Sequence, residues 1–535
     1  MRRTAALAGA LALLMSALAG CGAEYDGNGS PKARSGVSTI QKEITEVAWA
    51  PCDLTVLYGD TELGPAGLTP AQAAWAESLE CGSINVPVDY EDTTGDRVAV
   101  AMIRHPAGTI TDRIGSLLIN PGGPGGSGID LARYPFLPSE VTSAFDVVGF
   151  DPRGVGASRN LTCGSDSAFD AAVTDVATDD PSAITDAQST ALEDGAATFS
   201  EGCTEEVDAN FLANMGTENV ARDMEVMRTA LGDDELTYLG YSYGTYIGQM
   251  YLHLYPDHVR AMVLDGVMRT SGSVLDLAED QAAGFETAWH AFVDHCLTVA
   301  DCPFTTADAA DAELEAILAG AGQALAGTLT VGDMLGMISQ SLYSEAKWPA
   351  LETILAAVSG GDIGEFAEQL EALADPEGAS RLQPRRPPPP PLPQRDTNAN
   401  FYGVQCVDRE NPGDFDAYRD GAETAFGNSD LFGANIAWSY LPCATWSASE
   451  PGPKSVSGSG APEVVLIGNV GDPATPYAWA ESVSKELHHD VLITYEGSGH
   501  TAYALGHTCI DTPVTAYLVD LTIPATGLKC PQELS

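Results

Sequence analysis

The chain has 535 residues, 44% of them hydrophobic, and acidic residues outnumber basic ones 75 to 25, for a formal charge of −50. That length supports one large catalytic domain with a sizeable insertion, or two to four domains. So acidic a surface repels nucleic acid and anionic membranes, which excludes both as expected ligands.

Arg2 and Arg3 precede an apolar stretch, Ala5 to Ala19, that is too short for a comfortable membrane span. Residues 1–20 therefore read as a signal peptide. Leu18-Ala19-Gly20-Cys21 places small residues before a cysteine, the pattern of a bacterial lipoprotein processing site. Cys21 is expected to become the lipidated first residue, and any membrane contact is expected through that anchor alone. The alternative is ordinary signal cleavage beside an incidental cysteine. Residues 21–43 read as a polar, Gly/Ser-containing tether.

Setting Cys21 aside leaves ten cysteines, which in an oxidising compartment suggests up to five disulfides. Neighbouring pairs are Cys52–Cys81, Cys163–Cys203, Cys296–Cys302, Cys406–Cys443 and Cys509–Cys530, although spacing leaves the connectivity open. There is no C-x-x-C pair or Cys/His cluster, so no metal site is expected.

Residues 39–85 read as a lead-in packed on the main body. Alternating apolar residues predict strands from Ile84 to Tyr90 and from Arg97 to Arg104. Gly115 to Asn120 and Ala144 to Phe150 read as buried strands; the first runs into the glycine-rich NPGGPGGSG and the second into Asp151-Pro152-Arg153-Gly154. Thr217 to Leu231 has helical spacing, with Thr217 as its expected cap and Val220, Met224, Met227 and Leu231 on one face. Leu236 to Leu239 and Val259 to Val267 are further strand signals. From 271 the pattern turns helical, apart from Arg385 to Pro393 (RRPPPPPLP), which must be extended. Strand signals return at Glu463–Gly468 and Val491–Tyr495. Alternating strands and helices imply a mostly parallel sheet. The expected divisions are a core from 44 to 270, a mainly helical cap inserted over 271–455, and the rest of the core over 456–535.

Between the strand ending at Leu239 and a helical run lies Gly240-Tyr241-Ser242-Tyr243-Gly244. Strand, tight turn and helix is the context in which G-x-S-x-G forms a nucleophile elbow. Glycines are needed because the turn is strained and side chains there would collide. A serine nucleophile needs a base, and the base an orienting carboxylate. On an α/β-hydrolase fold these follow in the order Ser, Asp, His, each after a late strand. Asp472 sits in Asn469-Val470-Gly471-Asp472-Pro473, and His500 in Gly497-Ser498-Gly499-His500, each after such a strand. The expected catalytic set is therefore Ser242, Asp472 and His500. The alternatives are an ordinary turn aspartate and an exposed loop histidine. An oxyanion hole needs two backbone N–H groups, the loss of one typically costing ~3 kcal/mol. Tyr243 and Gly123 are the candidates. The glycine-rich loop lacks the G-K-[ST] of a phosphate-binding P-loop.

NPGGPGGSG, FDVVGFDPRGVGAS, LGYSYGTYIG, VGDPATP and GSGH together resemble the tripeptidyl-aminopeptidase-like α/β-hydrolases of actinobacteria, relatives of proline iminopeptidase. The resemblance runs from about Cys81 to the C-terminus and is weaker in the cap. It implies the same triad and oxyanion hole, and an exported serine exopeptidase that removes short peptides from free N-termini, or a related carboxylesterase-like protease of the cell envelope. No metal or organic cofactor is implied; the partners are peptide substrates. The chain departs from proline iminopeptidases in carrying Asn120-Pro121 where they have His at the head of G-G-P-G, and the proline run is out of place in the family.

An aminopeptidase needs a carboxylate for the substrate ammonium. Asp408 and Glu410 are candidates, and Thr475 is expected to line the cleft; the alternative for the acidic pair is a solvated loop. Two readings compete with the peptidase. A carboxylesterase uses the same triad, and a silent binding lipoprotein keeps only the fold.

Overall fold

The computed structural model describes residues 32–44, 46–58, 68–108, 113–164, 167–300, 302–324, 331–360, 397–448, 452–453 and 455–532. The signal segment, Cys21, the first part of the tether and the proline run 385–393 lie outside the described residues.

Ten strands form one sheet in the order β1-β2-β3-β5-β4-β6-β7-β8-β9-β10. They are β1 (Ala50–Pro51), β2 (Glu80–Pro87), β3 (Arg97–His105), β4 (Gly115–Asn120), β5 (Phe145–Phe150), β6 (Leu236–Tyr241), β7 (Val259–Asp265), β8 (Val464–Gly471), β9 (Asp490–Ser498) and β10 (Lys529–Pro531). β1, β2, β3 and β5 pair antiparallel; from β5 through β4 to β10 every pairing is parallel.

The parallel strands are apolar on both faces because both are covered. Leu118, Val148, Tyr238, Leu264 and Leu466 face one layer, where Val220, Ile247 and Trp479 pack from the helices Thr217–Ala230, Tyr243–Leu254 and Tyr477–Leu487. Their sequence neighbours Leu117, Val147, Leu239, Val263 and Val465 face the other layer, with Ile129, Val141, Ile510 and Val514. Helices on both sides of a parallel sheet, with Ser, Asp and His turns at strand ends, make this an α/β-hydrolase fold.

Between β7 and β8 all the described elements are helical. The helices Val274–Cys296, Ala310–Ala324, Val331–Leu342 and Trp348–Gly360 share an aromatic core of their own, built on Trp289, Phe292, Phe304, Leu314, Leu335 and Trp348. Arg409, 1% exposed, donates to the carbonyls of Arg269, Thr270, Ser271 and Gly272 and so ties the end of the helix Thr397–Asp408 to the segment leaving β7. The five disulfides join the neighbouring cysteines: 52–81, 163–203, 296–302, 406–443 and 509–530.

Two expectations need correction. Residues 32–43 are not tether: the helix Lys32–Glu43 docks on the body, with Val37 and Ile40 buried three residues apart and the Gln41 amide donating to the Glu225 carboxylate at 2.9 Å. Spacing of i, i+3 puts both apolar side chains on one face. The helix Thr217–Ala230 is not capped by Thr217 either. Asp408, 191 residues away, accepts the Thr217 N–H at 2.7 Å and its hydroxyl as well.

Ile40→Ala removes a fully buried side chain and is expected to cost about 2–4 kcal/mol. It should lower the thermal midpoint clearly, whereas Lys42→Ala on the exposed face should leave it in place; equal midpoints for both variants would show that the helix contributes nothing to the body.

Candidate active site

β6 delivers the chain to Ser242, which has φ 54° and ψ −126° and opens the helix Tyr243–Leu254. A left-handed φ in a residue with a side chain costs about 1–2 kcal/mol. Close approach explains the glycines. A Cβ on Gly240 would lie 2.4 Å from the Gly244 oxygen, and one on Gly244 would lie 2.9 Å from the Asn120 oxygen. A Cβ on Gly122 would meet the Ser242 Cβ and the Tyr243 nitrogen, both at 2.8 Å. The glycine-rich loop therefore lies directly against the turn. Asn120 Oδ1 holds the loop by accepting the Gly122 N–H at 2.9 Å, and the buried Asp151 accepts from the Ser127 hydroxyl and the Ala157 N–H. Gly123 follows Gly122 in this loop; its N–H makes no backbone hydrogen bond among the described residues. The Tyr243 N–H is in the first turn of its helix and has no intrahelical acceptor.

Asp472 is 2% exposed, in the turn after β8. Its oxygens accept the N–H groups of Ala474 and Thr475 and the Thr475 hydroxyl, each at 2.9 Å. Both oxygens also stand 2.9 Å from His500 Nδ1. His500 Nε2 is buried and bonds to nothing among the described residues. With Nδ1–H donated to Asp472, Nε2 is the ring nitrogen able to accept a proton. Burial by itself would lower the His500 pKa; the Asp472 carboxylate outweighs it, helped by Asp265, and the imidazole titrates above its ordinary value.

The turn bearing His500 is held at successive backbone groups. Ser498 N–H donates to Glu345 at 2.8 Å and His500 N–H to the Tyr343 carbonyl at 2.9 Å, both acceptors coming from the helical segment between β7 and β8. The Asn469 amide donates to the carbonyls of Gly499 and Thr501, each at 2.8 Å. Ala502 and Tyr503 N–H donate to the Asp265 carboxylate. The Tyr343 ring meets the imidazole edge-on, with centroids 5.3 Å apart. Gly266, φ 69°, sits beside the ring: a Cβ there would lie 3.0 Å from His500 Cε1.

Among the predicted residues, Asp472 and His500 are in direct contact. Ser242 reaches the His500 turn through Asp265, whose carbonyl accepts the Ser242 N–H at 2.8 Å. Thr475 is 4% exposed and its hydroxyl is given to Asp472, so it supports that carboxylate rather than the cleft surface. Asp408 is buried and committed to Thr217, whose hydroxyl also meets the Tyr243 hydroxyl. Burial raises the Asp408 carboxyl to about 6. Glu410 is exposed. Sequence reading missed Asp265, Asn469, Tyr343 and Glu345. Asn469 heads the Asn469-Val470-Gly471-Asp472 turn and had a local signal; Tyr343 and Glu345 had none. Among the described residues, metal-ligand spacing occurs only at Glu286, His290 and Asp311, an incompletely buried group sharing no residue with this site.

The family model described as TAP-like protein matches residues 429–530, which include Asp472 and His500. Serine protease Hip1 of Mycobacterium tuberculosis is 35% identical over 470 residues, 84% of this chain and 87% of that protein. A protein named tripeptidyl aminopeptidase from Streptomyces lividans is 32% identical over 470 residues, 84% of this chain and 83% of its own length. Carboxylesterase B of Mycobacterium tuberculosis is 34% identical over 510 residues, covering 89% and 94% respectively.

Gly266→Ala should push the imidazole off its seat and slow phosphonylation of Ser242 by an organophosphonate on the order of 10–100-fold. As the base expected from the sequence, His500 would accept the Ser242 proton only when neutral, so in the unaltered chain the same reaction should fall away on the acid side with a midpoint above the ordinary imidazole value of 6.5. An unchanged rate in the variant, or a midpoint below 6.5, would contradict this geometry.

Proposed function

The chain belongs to the tripeptidyl-aminopeptidase-like α/β-hydrolases and is a serine peptidase; on that premise we propose that it is exported and releases short peptides, chiefly tripeptides, from free peptide N-termini through an acyl-enzyme on Ser242. The observation that carries the site assignment is the buried Asp472 with both carboxylate oxygens 2.9 Å from His500 Nδ1, and Nε2 left unpaired among the described residues.

In this reading Nε2 takes the Ser242 proton as the hydroxyl attacks the scissile carbonyl, then returns it to the leaving amine. Asp472 fixes the tautomer and stabilises the imidazolium, while Thr475 and Ala474 fix Asp472. The N–H groups of Tyr243 and Gly123 receive the oxyanion; the glycine loop is supported in that role by its contact with the Ser242 turn. Water then deacylates the enzyme by the same proton path in reverse.

Residues 271–455 serve in this reading as a cap that limits access to chain ends. Asp408 already serves Thr217 and Glu410 is exposed, so the observations favour neither as the partner of the substrate ammonium. Export is supported by the five disulfides, which oxidising compartments sustain. The apolar stretch Ala5 to Ala19 would direct it, with Cys21 as a lipid anchor. Esterase activity is the second reading, favoured by the likeness to a protein named carboxylesterase B; both are acyl transfers that this triad serves.

Three chromogenic substrates separate the readings: a tripeptide amide with a free N-terminus, its N-acetylated twin and a short acyl ester. The free tripeptide should turn over fastest, Ser242→Ala should abolish it, and Asp472→Asn should lower kcat by about 10³–10⁴-fold. Ester turnover with neither peptide cleaved would overturn the aminopeptidase in favour of the esterase.

A further inference from the structure

Asp265 is the last residue of β7 and is fully buried. Its carboxylate accepts the Ala502 N–H, at 3.1 and 2.9 Å to its two oxygens, and the Tyr503 N–H at 2.7 Å. No Lys or Arg bonds to it among the described residues. Its backbone carbonyl accepts the Ser242 N–H at 2.8 Å. The next residue, Gly266, lies against the His500 ring at Cε1.

A buried carboxylate with no cation is costly to keep. Two backbone N–H groups require an acceptor there but not a full charge, which an amide would avoid. The group that gains from the charge is the imidazole two residues before Ala502. We propose that Asp265 is a positioning residue for catalysis, holding the Ser242 turn with its carbonyl and the His500 turn with its carboxylate, and that its charge supports the imidazolium formed as Ser242 attacks. This rests on the reading of Ser242 and His500 as nucleophile and base.

Among the described residues, three groups with ionisable side chains face the imidazole. Asp472 comes from the turn after β8, Asp265 from the end of β7, and the Tyr343 phenol from the helical segment, its pKa raised by burial so that it stays neutral. Burial raises the Asp265 carboxyl to about 7, with the bonds from Ala502 and Tyr503 and the charge of His500 pulling it down and Asp472 pushing it up. The sign of the effect on His500 follows. A negative Asp265 raises the imidazole pKa, so removing that charge moves the acid limb of kcat/KM to lower pH.

The test uses the full chain with Asp265→Asn, which keeps an acceptor and the volume but removes the charge, and Asp265→Ala, which removes both. The readouts are kcat, KM and the pH profile on the free tripeptide amide, together with the rate at which an organophosphonate labels Ser242. For Asp265→Asn we expect kcat to fall ten- to a hundredfold, KM to stay within about twofold, and the acid limb to move to lower pH, with labelling slowed in parallel. Asp265→Ala should lose more. A folded Asp265→Asn with the wild-type kcat and acid limb overturns the proposal, and so does an isosteric amide that fails to fold, because the carboxylate then serves stability alone. If the unaltered chain neither cleaves peptide nor reacts with the phosphonate, the assignment of Ser242 and His500 falls and this proposal falls with it.

Discussion

At Ser242 the backbone turns from strand to helix through a left-handed conformation, φ 54°, and the loop after β4 is pressed against that turn. Gly122 meets it from the loop after β4, and Gly240 and Gly244 close it on itself. None of these positions accommodates a Cβ without moving backbone atoms. The strain persists because the surroundings over-determine it: the Ser242 N–H is tied to β7, and the Tyr238 hydroxyl donates to the Gly244 carbonyl at 2.8 Å. The same crowding puts two backbone N–H groups, those of Gly123 and Tyr243, in adjoining segments of the fold, as the proposed oxyanion hole requires.

The His500 turn is fixed by polar clamps instead of by crowding. Between Ser498 and Tyr503, N–H and C=O groups are taken in turn by Glu345, Tyr343, Asn469 and Asp265. A buried loop must satisfy its backbone polar groups. Doing so with groups from β7, β8 and the inserted helices makes the position of the imidazole depend on all of them. Two carboxylates, Asp472 and Asp265, then bear on one imidazole, which explains why it titrates above its ordinary value although it is buried. The helical segment is therefore mechanically joined to the His500 turn.

The same logic governs the periphery. Asp151, in the Asp-Pro-Arg-Gly turn after β5, accepts from Ser127 and so links that turn to the glycine-rich loop. Arg153, two residues on, is fully buried and pairs with Asp223, which also accepts the Tyr90 hydroxyl at 2.8 Å. The sequence motifs around the site are thus bonded to the body of the fold, and their residue types reflect those bonds.

The sequence by itself determined the eight principal strands, their mostly parallel arrangement and the order of the Ser, Asp and His turns. All of these are written in local patterns: apolar runs for strands buried on both faces, glycines where the chain turns sharply, and polar residues at strand ends. It also suggested the disulfide pairs, because each cysteine meets a near neighbour. Only the tertiary structure decided what surrounds the proposed triad. Asp265 and Ala502 are 237 residues apart, and Thr217 and Asp408 are 191 apart. Nothing near Asp265 distinguishes it from an ordinary aspartate at a strand end, and nothing near Asp408 marks it as a helix cap. The order of strands in the sheet creates those contacts, and that order arises from packing and hydrogen bonding between segments that carry no sequence mark of each other.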